Sequence, residues 1–217
     1  MKKSLNVDDC KKIIYYITEK ITENKTFLTE VDSAIGDGDH GIGMVGGLQK
    51  ASEAVSKLDN VDDVYEVFKA AGKAMLMSMG GASGVIFGSM FLAGAKDTAA
   101  KKELGTTELS DLFADGLAAI KLRGKAKVGD KTMVDALEPA VIAMQNYSGS
   151  SISEMLNCAM DASFKGMEST KDMIAVFGRA KSLMERAIGH QDAGATSVWI
   201  IFRSMYDWVC ENEGARI

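Results

Sequence analysis

The stretch DSAIGDGDHGIGM, Asp32–Met44, sets three carboxylates, Asp32, Asp37 and Asp39, within eight positions, with His40 next and glycines between. Such a stretch has little to bury, so core packing does not account for it. Aspartates crowded this closely repel one another unless a cation neutralises them. All-oxygen ligands suit a hard ion, and Mg²⁺ completes its octahedron with carboxylates, waters and phosphate oxygens. Glycine amides beside the carboxylates, leading into a helix N-terminus, suit the phosphates that accompany such an ion. The stretch therefore reads as a Mg²⁺–polyphosphate site. An EF-hand fails: counted from Asp37, the third ligand position is Gly41 and the twelfth is Leu48, where a bidentate Glu is required. An acidic surface turn built from good turn formers is the plain alternative.

On either side of this stretch the apolar residues recur at helical spacing, and that decides the fold class. Before it, Cys10, Ile13, Ile14, Ile17 and Ile21 make one stripe on a helix from about Asn6 to Asn24. After it, a second helix starts near Gly41 and carries Val45 and Leu48 toward Lys57. Asp59 to Asp63 form a polar turn capping a third helix that shows Val64, Val67, Phe68, Ala71 and Met75 on one face. Gly80, Gly81, Ala82, Ser83 and Gly84 read as a short loop before a fourth helix through Phe91. Its amides and the Ser83 hydroxyl could meet an anion, or the glycines could simply let two helices pack closely.

The fifth helix covers about Thr107 to Arg123. RGKAKVGDKTM, Arg123–Met133, then mixes cations and glycines. Gly124 and Gly129 have P-loop spacing, but Asp130 stands where the lysine belongs and a helix rather than a strand precedes the loop. The loop is read either as a phosphate- or adenine-side element or as a solvated basic turn. A sixth helix starts near Thr132 with Pro139 inside it, and Ser151 with Glu154 starts a seventh. A long connection, Glu168–Gly194, holds GRA (Gly178, Arg179, Ala180) and a short helix near Ser182 to Ala187, and runs into IGHQDAGATS. A last helix, about Ala195 to Val209, is apolar nearly all round. No stretch reads as a strand. Methionines at these spacings read as core filler.

One proline, 47% hydrophobic and 25% charged residues in 217 fit a single, sizeable all-α domain over residues 1–217. A net charge of −5 argues against nucleic acid as the main partner. Cys10, Cys158 and Cys210 are too dispersed for a disulfide framework or a CxxC motif and suggest a reducing, cytoplasmic setting. No apolar run reaches membrane-spanning length. Eight helices joined mostly by short connections should pack as an antiparallel up-and-down bundle or barrel. Odd-numbered connections then meet at one end: the acidic stretch, GGASG, GKAKVGDKT and the GRA…GHQDAG segment. His40 and His190, the only histidines, fall there too; His40 suits phosphate, His190 a structural hydrogen bond.

Taken together, D-S-x-I-G-D-G-D-H-G (Asp32–Gly41), G-G-A-S-G (Gly80–Gly84), R-G-K-A-x-x-G-D-K-T-M (Arg123–Met133) and G-R-A…G-H-Q-D-x-G-A-T-S (Gly178–Ser197) resemble the DhaL family, the ADP-binding L subunits of phosphoenolpyruvate-dependent dihydroxyacetone kinases. The resemblance implies an eight-helix barrel with tightly bound ADP or ATP and two Mg²⁺ at one end. It assigns the metal to Asp32, Asp37 and Asp39 and the phosphates to His40, Gly41, Ile42, Gly43, Ala82 and Ser83. Gly124, Thr132, Met133, Arg179, Asp192, Ala193 and Gly194 would complete the nucleotide site. It also implies a DhaM-like phosphohistidine donor that rephosphorylates the nucleotide in place, and a DhaK-like subunit that holds dihydroxyacetone.

The family usually has proline where this chain has Val85 and Ala193, which points to looser nucleotide retention. Two alternatives follow: a nucleotide-exchanging kinase component for another small keto-sugar, or a nucleotide-state-dependent partner of a transcription regulator.

Overall fold

The computed structural model of the chain describes residues 1–213. Among these, nine α-helices account for nearly all regular structure: α1 (Val7–Glu23), α2 (Lys25–Ile35), α3 (His40–Ser56), α4 (Val64–Ser78), α5 (Gly81–Leu92), α6 (Thr106–Gly124), α7 (Val134–Gln145), α8 (Ile152–Ser169) and α9 (Ala193–Asn212). The all-α class expected from periodicity is what the chain adopts. Helix α1 shows why. Asn6 accepts from the Asp9 amide at 2.9 Å while the Asp9 carboxylate accepts from the Asn6 amide at 3.0 Å, a reciprocal cap that starts the helix. The isoleucine stripe then disappears from solvent, each side chain contributing about 1.5–3 kcal/mol of apolar burial.

The helices close a ring. Neighbours pack in the order α1, α3, α4, α5, α6, α7, α8, α9, and α9 returns to α1. Helix α2 is the element the sequence reading did not separate, having passed straight from the first helix to the acidic loop. It continues α1 across Asn24, whose φ of −91° and ψ of 9° bend the chain without ending its helical course. Nine helices thus stand in eight columns, and the barrel expected from the sequence survives the extra break. A row of phenylalanines, Phe68, Phe91, Phe113 and Phe202, fills the interior with ring centroids 6.5, 6.5 and 5.0 Å apart. Where α4 crosses α5, a Cβ on Gly72 would lie 2.7 Å from the Gly88 carbonyl oxygen, so glycine is what lets the two backbones touch.

Three details differ from the sequence reading. The Gly80–Gly84 segment is not a loop: α5 begins at Gly81, and Ala82, Ser83 and Gly84 lie in its first turn. Two-residue strands, β1 (Leu5–Asn6) and β2 (Glu103–Leu104), pair antiparallel at the far end, too short to leave an alternating pattern. The short helix expected near Ser182 to Ala187 is present as a kinked 3₁₀ stretch that starts earlier, over Arg179–Ala187, and a further 3₁₀ turn at Thr170–Asp172 follows α8. The cysteines are free, Cys10 buried and Cys158 and Cys210 exposed. No helix of the described residues is long and apolar enough to cross a membrane.

Candidate functional site

Helix α2 ends and α3 begins on the acidic stretch, so the three aspartates come from three backbone settings. Asp32 lies in the last turn of α2, Asp37 in the connection, and Asp39 is the residue preceding α3. One carboxylate oxygen from each can be chosen so that all three lie within 4.8 Å of one another. This spacing fits a small hard cation.

The start of α3 supplies the complementary half. The His40 amide donates to Asp32 Oδ2 at 3.2 Å, and the Gly43 amide makes the first intrahelical bond, to the Asp39 carbonyl, at 2.9 Å. Asp39 provides no side-chain cap. The Gly41 and Ile42 amides are therefore left with no partner among the described residues, at the positive end of a 17-residue helix. Gly43 is helical, and a Cβ built on it meets nothing within 4 Å. Neither conformation nor packing inside the chain asks for glycine there. The same open space surrounds Gly80, Gly81, Gly124 and Gly178.

His40 lies with its ring Nε2 2.8 Å from Ser197 Oγ on α9, and its ring centroid is 6.0 Å from that of Phe87 on α5. Burial holds its pKa below the ordinary value against the pull of Asp32 and Asp39, so the imidazole is neutral at neutral pH. Its side chain ties α3 to α9, a tie the sequence reading did not foresee because Ser197 appeared only as the end of a motif. Arg179, at the start of the 3₁₀ segment Arg179–Ala187, places Nη2 2.7 Å from Asp37 Oδ2 and brings the long connection to the acidic cluster. Thr132 accepts from the Val134 amide at 3.2 Å, and Met133 is buried at the start of α7. A Cβ on Gly194 would stand 3.2 Å from Met133 Cβ, so these two positions are in contact. Ala82, Ser83 and Gly124 stand at the same end but reach the aspartates through no direct hydrogen bond among the described residues.

The loop before α7 departs most from expectation. Lys125 and Lys127 are exposed, as in a solvated basic turn, yet Asp130, Lys131 and Asp135 are buried. Asp135 accepts from the Gly129 and Thr132 amides at 2.6 and 2.7 Å and shapes the loop. Only the charged residue types hid this; nothing in their spacing marked them as internal. His190 keeps a structural place through its backbone, its side chain being exposed.

Asp192 caps α9, accepting from the Ala195 amide at 2.7 Å. Burial pushes its carboxyl up to about 7, the Ala195 bond pulling it down, Asp135 pushing it up and Lys131 pulling it down. For an acid whose folded pKa lies above its unfolded value, the native state binds the extra proton between the two. Stability of the ligand-free protein should therefore fall as pH rises from about 4 to about 7. Asp192→Asn keeps the cap acceptor and removes the titration, so it should flatten that part of the profile by up to about 4 kcal/mol in denaturant titrations run across this range.

The DAK2 domain family model matches residues 34–207. The chain is 40% identical over 183 residues to the ADP-binding subunit DhaL of PEP-dependent dihydroxyacetone kinase 2 of Listeria innocua, covering 83% of this chain and 85% of that one. It is 37% identical to the ADP-binding subunit DhaL of the PTS-dependent enzyme of Lactococcus lactis, covering 94% and 99%. Among solved structures, the dihydroxyacetone kinase of C. freundii superposes with a TM-score of 0.70 at 24% identity over 91% of this chain. The likeness shows the fold, and this chain spans about a third of that kinase's length. The same kinase has also been solved with AMP-PNP and Mg²⁺.

Proposed function

Because this chain belongs to the DAK2 domain family, we propose that it is the ADP- and ATP-carrying subunit of a phosphoenolpyruvate-dependent dihydroxyacetone kinase, a phosphotransferase. The observation that carries the reading is the acidic triad beside the uncapped start of α3, with glycines whose Cβ positions open onto empty space. Asp32, Asp37 and Asp39 hold Mg²⁺, two ions in this reading, and the bound ion supplies charge neutralisation and a template for the phosphates. The Gly41 and Ile42 amides and the first turn of α5, with Ala82 and Ser83, donate to phosphate oxygens. His40 keeps the α3 terminus aimed at the site through Ser197. Gly124, Thr132, Met133, Asp192, Ala193 and Gly194 shape the nucleoside side. Arg179, which pairs with Asp37, stands beside the acidic cluster and would contact the phosphates.

Phosphoryl transfer asks for positioning and charge neutralisation rather than covalent chemistry from side chains. The resident nucleotide relays a phosphoryl group from a DhaM-like phosphohistidine protein to dihydroxyacetone held by a DhaK-like subunit. Relatives matched over 85% and 99% of their length are ADP-binding subunits of PEP- and PTS-dependent dihydroxyacetone kinases, which supports a nucleotide-carrying role within a larger assembly. The reading places the protein in the cytoplasm, away from membrane and nucleic acid, and leaves a nucleotide-dependent contact with a transcription regulator as an added role.

A second reading has its own support. The chain is 36% identical to part of the D-erythrulose kinase of Mycolicibacterium smegmatis, covering 34% of that protein, and Ala193 stands at the first helical position, which proline suits and would stiffen. In that reading the nucleotide exchanges and the acceptor is a different ketose. One experiment separates the two. The dialysed protein is denatured and the released nucleotide and Mg²⁺ are assayed. About one ADP per chain, with Mg²⁺, is the expected result for a resident cofactor. An empty protein that binds and exchanges ATP supports the second reading, and no binding even with added Mg²⁺ removes both.

A further inference from the structure

Lys131 is 2% exposed, and burying an ammonium group is among the costliest things a fold does. Its backbone is also in the left-handed region, with a φ of 58°, which a side chain rarely adopts. Two such costs at one residue call for a compensating role. The Nζ donates to the Thr170 carbonyl at 2.5 Å and to the His190 carbonyl at 2.6 Å. Those carbonyls lie in different parts of the chain, one just after α8 and the other two residues before the cap of α9.

Further bonds run between the same segments. The Gly189 amide donates to the Lys171 carbonyl at 2.7 Å, the Asp192 amide donates to Thr170 Oγ1 at 2.9 Å, and the Val176 amide donates to the Asp130 carbonyl at 3.1 Å. Asp192, Asp135 and Asp172 surround the ammonium at longer range and favour its charge, while burial opposes it. Only Lys131 joins all three segments with a single charged group. Two residues on, Met133 meets Gly194. Lys131 has no route to a ligand of its own, being sealed beneath these segments.

We propose that Lys131 is a positioning residue: its ammonium clamps the segment 189–194 to the loop before α7, holding Met133 and Gly194 together as one wall of the nucleotide site and so slowing nucleotide release. The inference deepens the nucleotide-site reading above and rests on it. Charge-assisted bonds to two carbonyls are strong, and Lys131→Met keeps most of the length and apolar stem while leaving both carbonyls unpaired.

The test measures ADP dissociation by displacement of a fluorescent ADP analogue, together with hydrogen exchange, in wild type and Lys131→Met. Faster release by about tenfold or more is expected, with exchange raised over 170–176 and 188–195 and unchanged in α4 and α5. A folded variant that releases ADP at the wild-type rate overturns the proposal, and so does an exchange increase spread evenly over the barrel, which marks a general fold staple. Should Lys131→Met fail to fold, Lys131→Gln keeps a polar donor but removes the charge and shortens the reach to the Thr170 and His190 carbonyls. It is expected to speed release in the same direction, and a wild-type rate would overturn the clamp. If wild type binds no nucleotide, the functional reading falls by itself. The exchange pattern of the ligand-free proteins then decides the clamp: local opening supports it and even opening refutes it.

Discussion

Asp37→Asn combined with Asp39→Asn is expected to lower phosphoryl transfer by about 10³-fold or more while leaving the ligand-free fold at essentially wild-type stability. The two halves of this expectation have separate causes. In the folded chain Asp37 and Asp39 are exposed, and neither holds a backbone amide, in contrast with Asp32, which accepts from His40. Among the described residues Asp37 pairs only with Arg179, in a surface pair worth at most about 1 kcal/mol. Asp39 precedes α3 without capping it, so asparagine there forfeits only a charge near the helix terminus, a few tenths of a kcal/mol. Against these small losses stands relief of repulsion among three carboxylates within 4.8 Å. If the triad exists for the fold, the double variant should unfold more easily. If it exists for a cation, thermal stability without Mg²⁺ stays level while Mg²⁺-dependent nucleotide binding and its stabilisation vanish. Calorimetry with and without Mg²⁺ reads both halves. Unaltered Mg²⁺-dependent binding in the double variant would remove the triad from the metal site.

Much of this architecture was legible in the sequence because the physics that writes helices is periodic. The α1 isoleucines, the α4 face and the apolar α9 all became core. Helix α2 escaped because only Leu28 and Ile35 of its eleven residues are buried and Asn24 provides no side-chain cap; a short helix with one turn of stripe resembles a loop. The early start of α5 escaped for the opposite reason. Glycine and serine are poor helix formers, and Gly84 is needed there because a Cβ would run into the Met79 carbonyl where α4 turns into α5. At the site, the aspartates and glycines were conspicuous because their chemistry is local. Lys131 and the His40–Ser197 tie were not, since they depend on partners 39 and 157 residues away, and Asp135 was not, since residue type argues against its burial. The contact from Gly166 to the Asp135 carbonyl has no sequence trace at all.

The second large effect belongs to two glycines two residues apart. Gly41→Ala should destabilise the protein by about 2–3 kcal/mol, a fall in melting temperature of about 5–10 °C for a chain of this length. A Cβ at Gly41 would lie 2.5 Å from Thr29 Oγ1 and closer still to the Lys25 carbonyl oxygen, both on α2. A hydroxyl can rotate away, but a helix carbonyl moves only if α2 moves. Because α2 carries Asp32 and α3 follows Asp39, that movement spreads the triad, and metal-dependent nucleotide binding should weaken along with stability. Gly43→Ala is predicted to separate the two effects. Its Cβ meets nothing, and exchanging a helical glycine for alanine stabilises by about 0.5–1 kcal/mol. The added methyl enters the space assigned to phosphate, so nucleotide affinity should drop by about tenfold or more even as the melting temperature rises. The opposed signs are informative because no purely structural account of Gly43 yields them. A Gly43→Ala protein that is more stable and binds nucleotide as well as wild type would show that the empty space beside α3 is not where the phosphates lie, and the assignment of His40–Gly43 would have to be withdrawn.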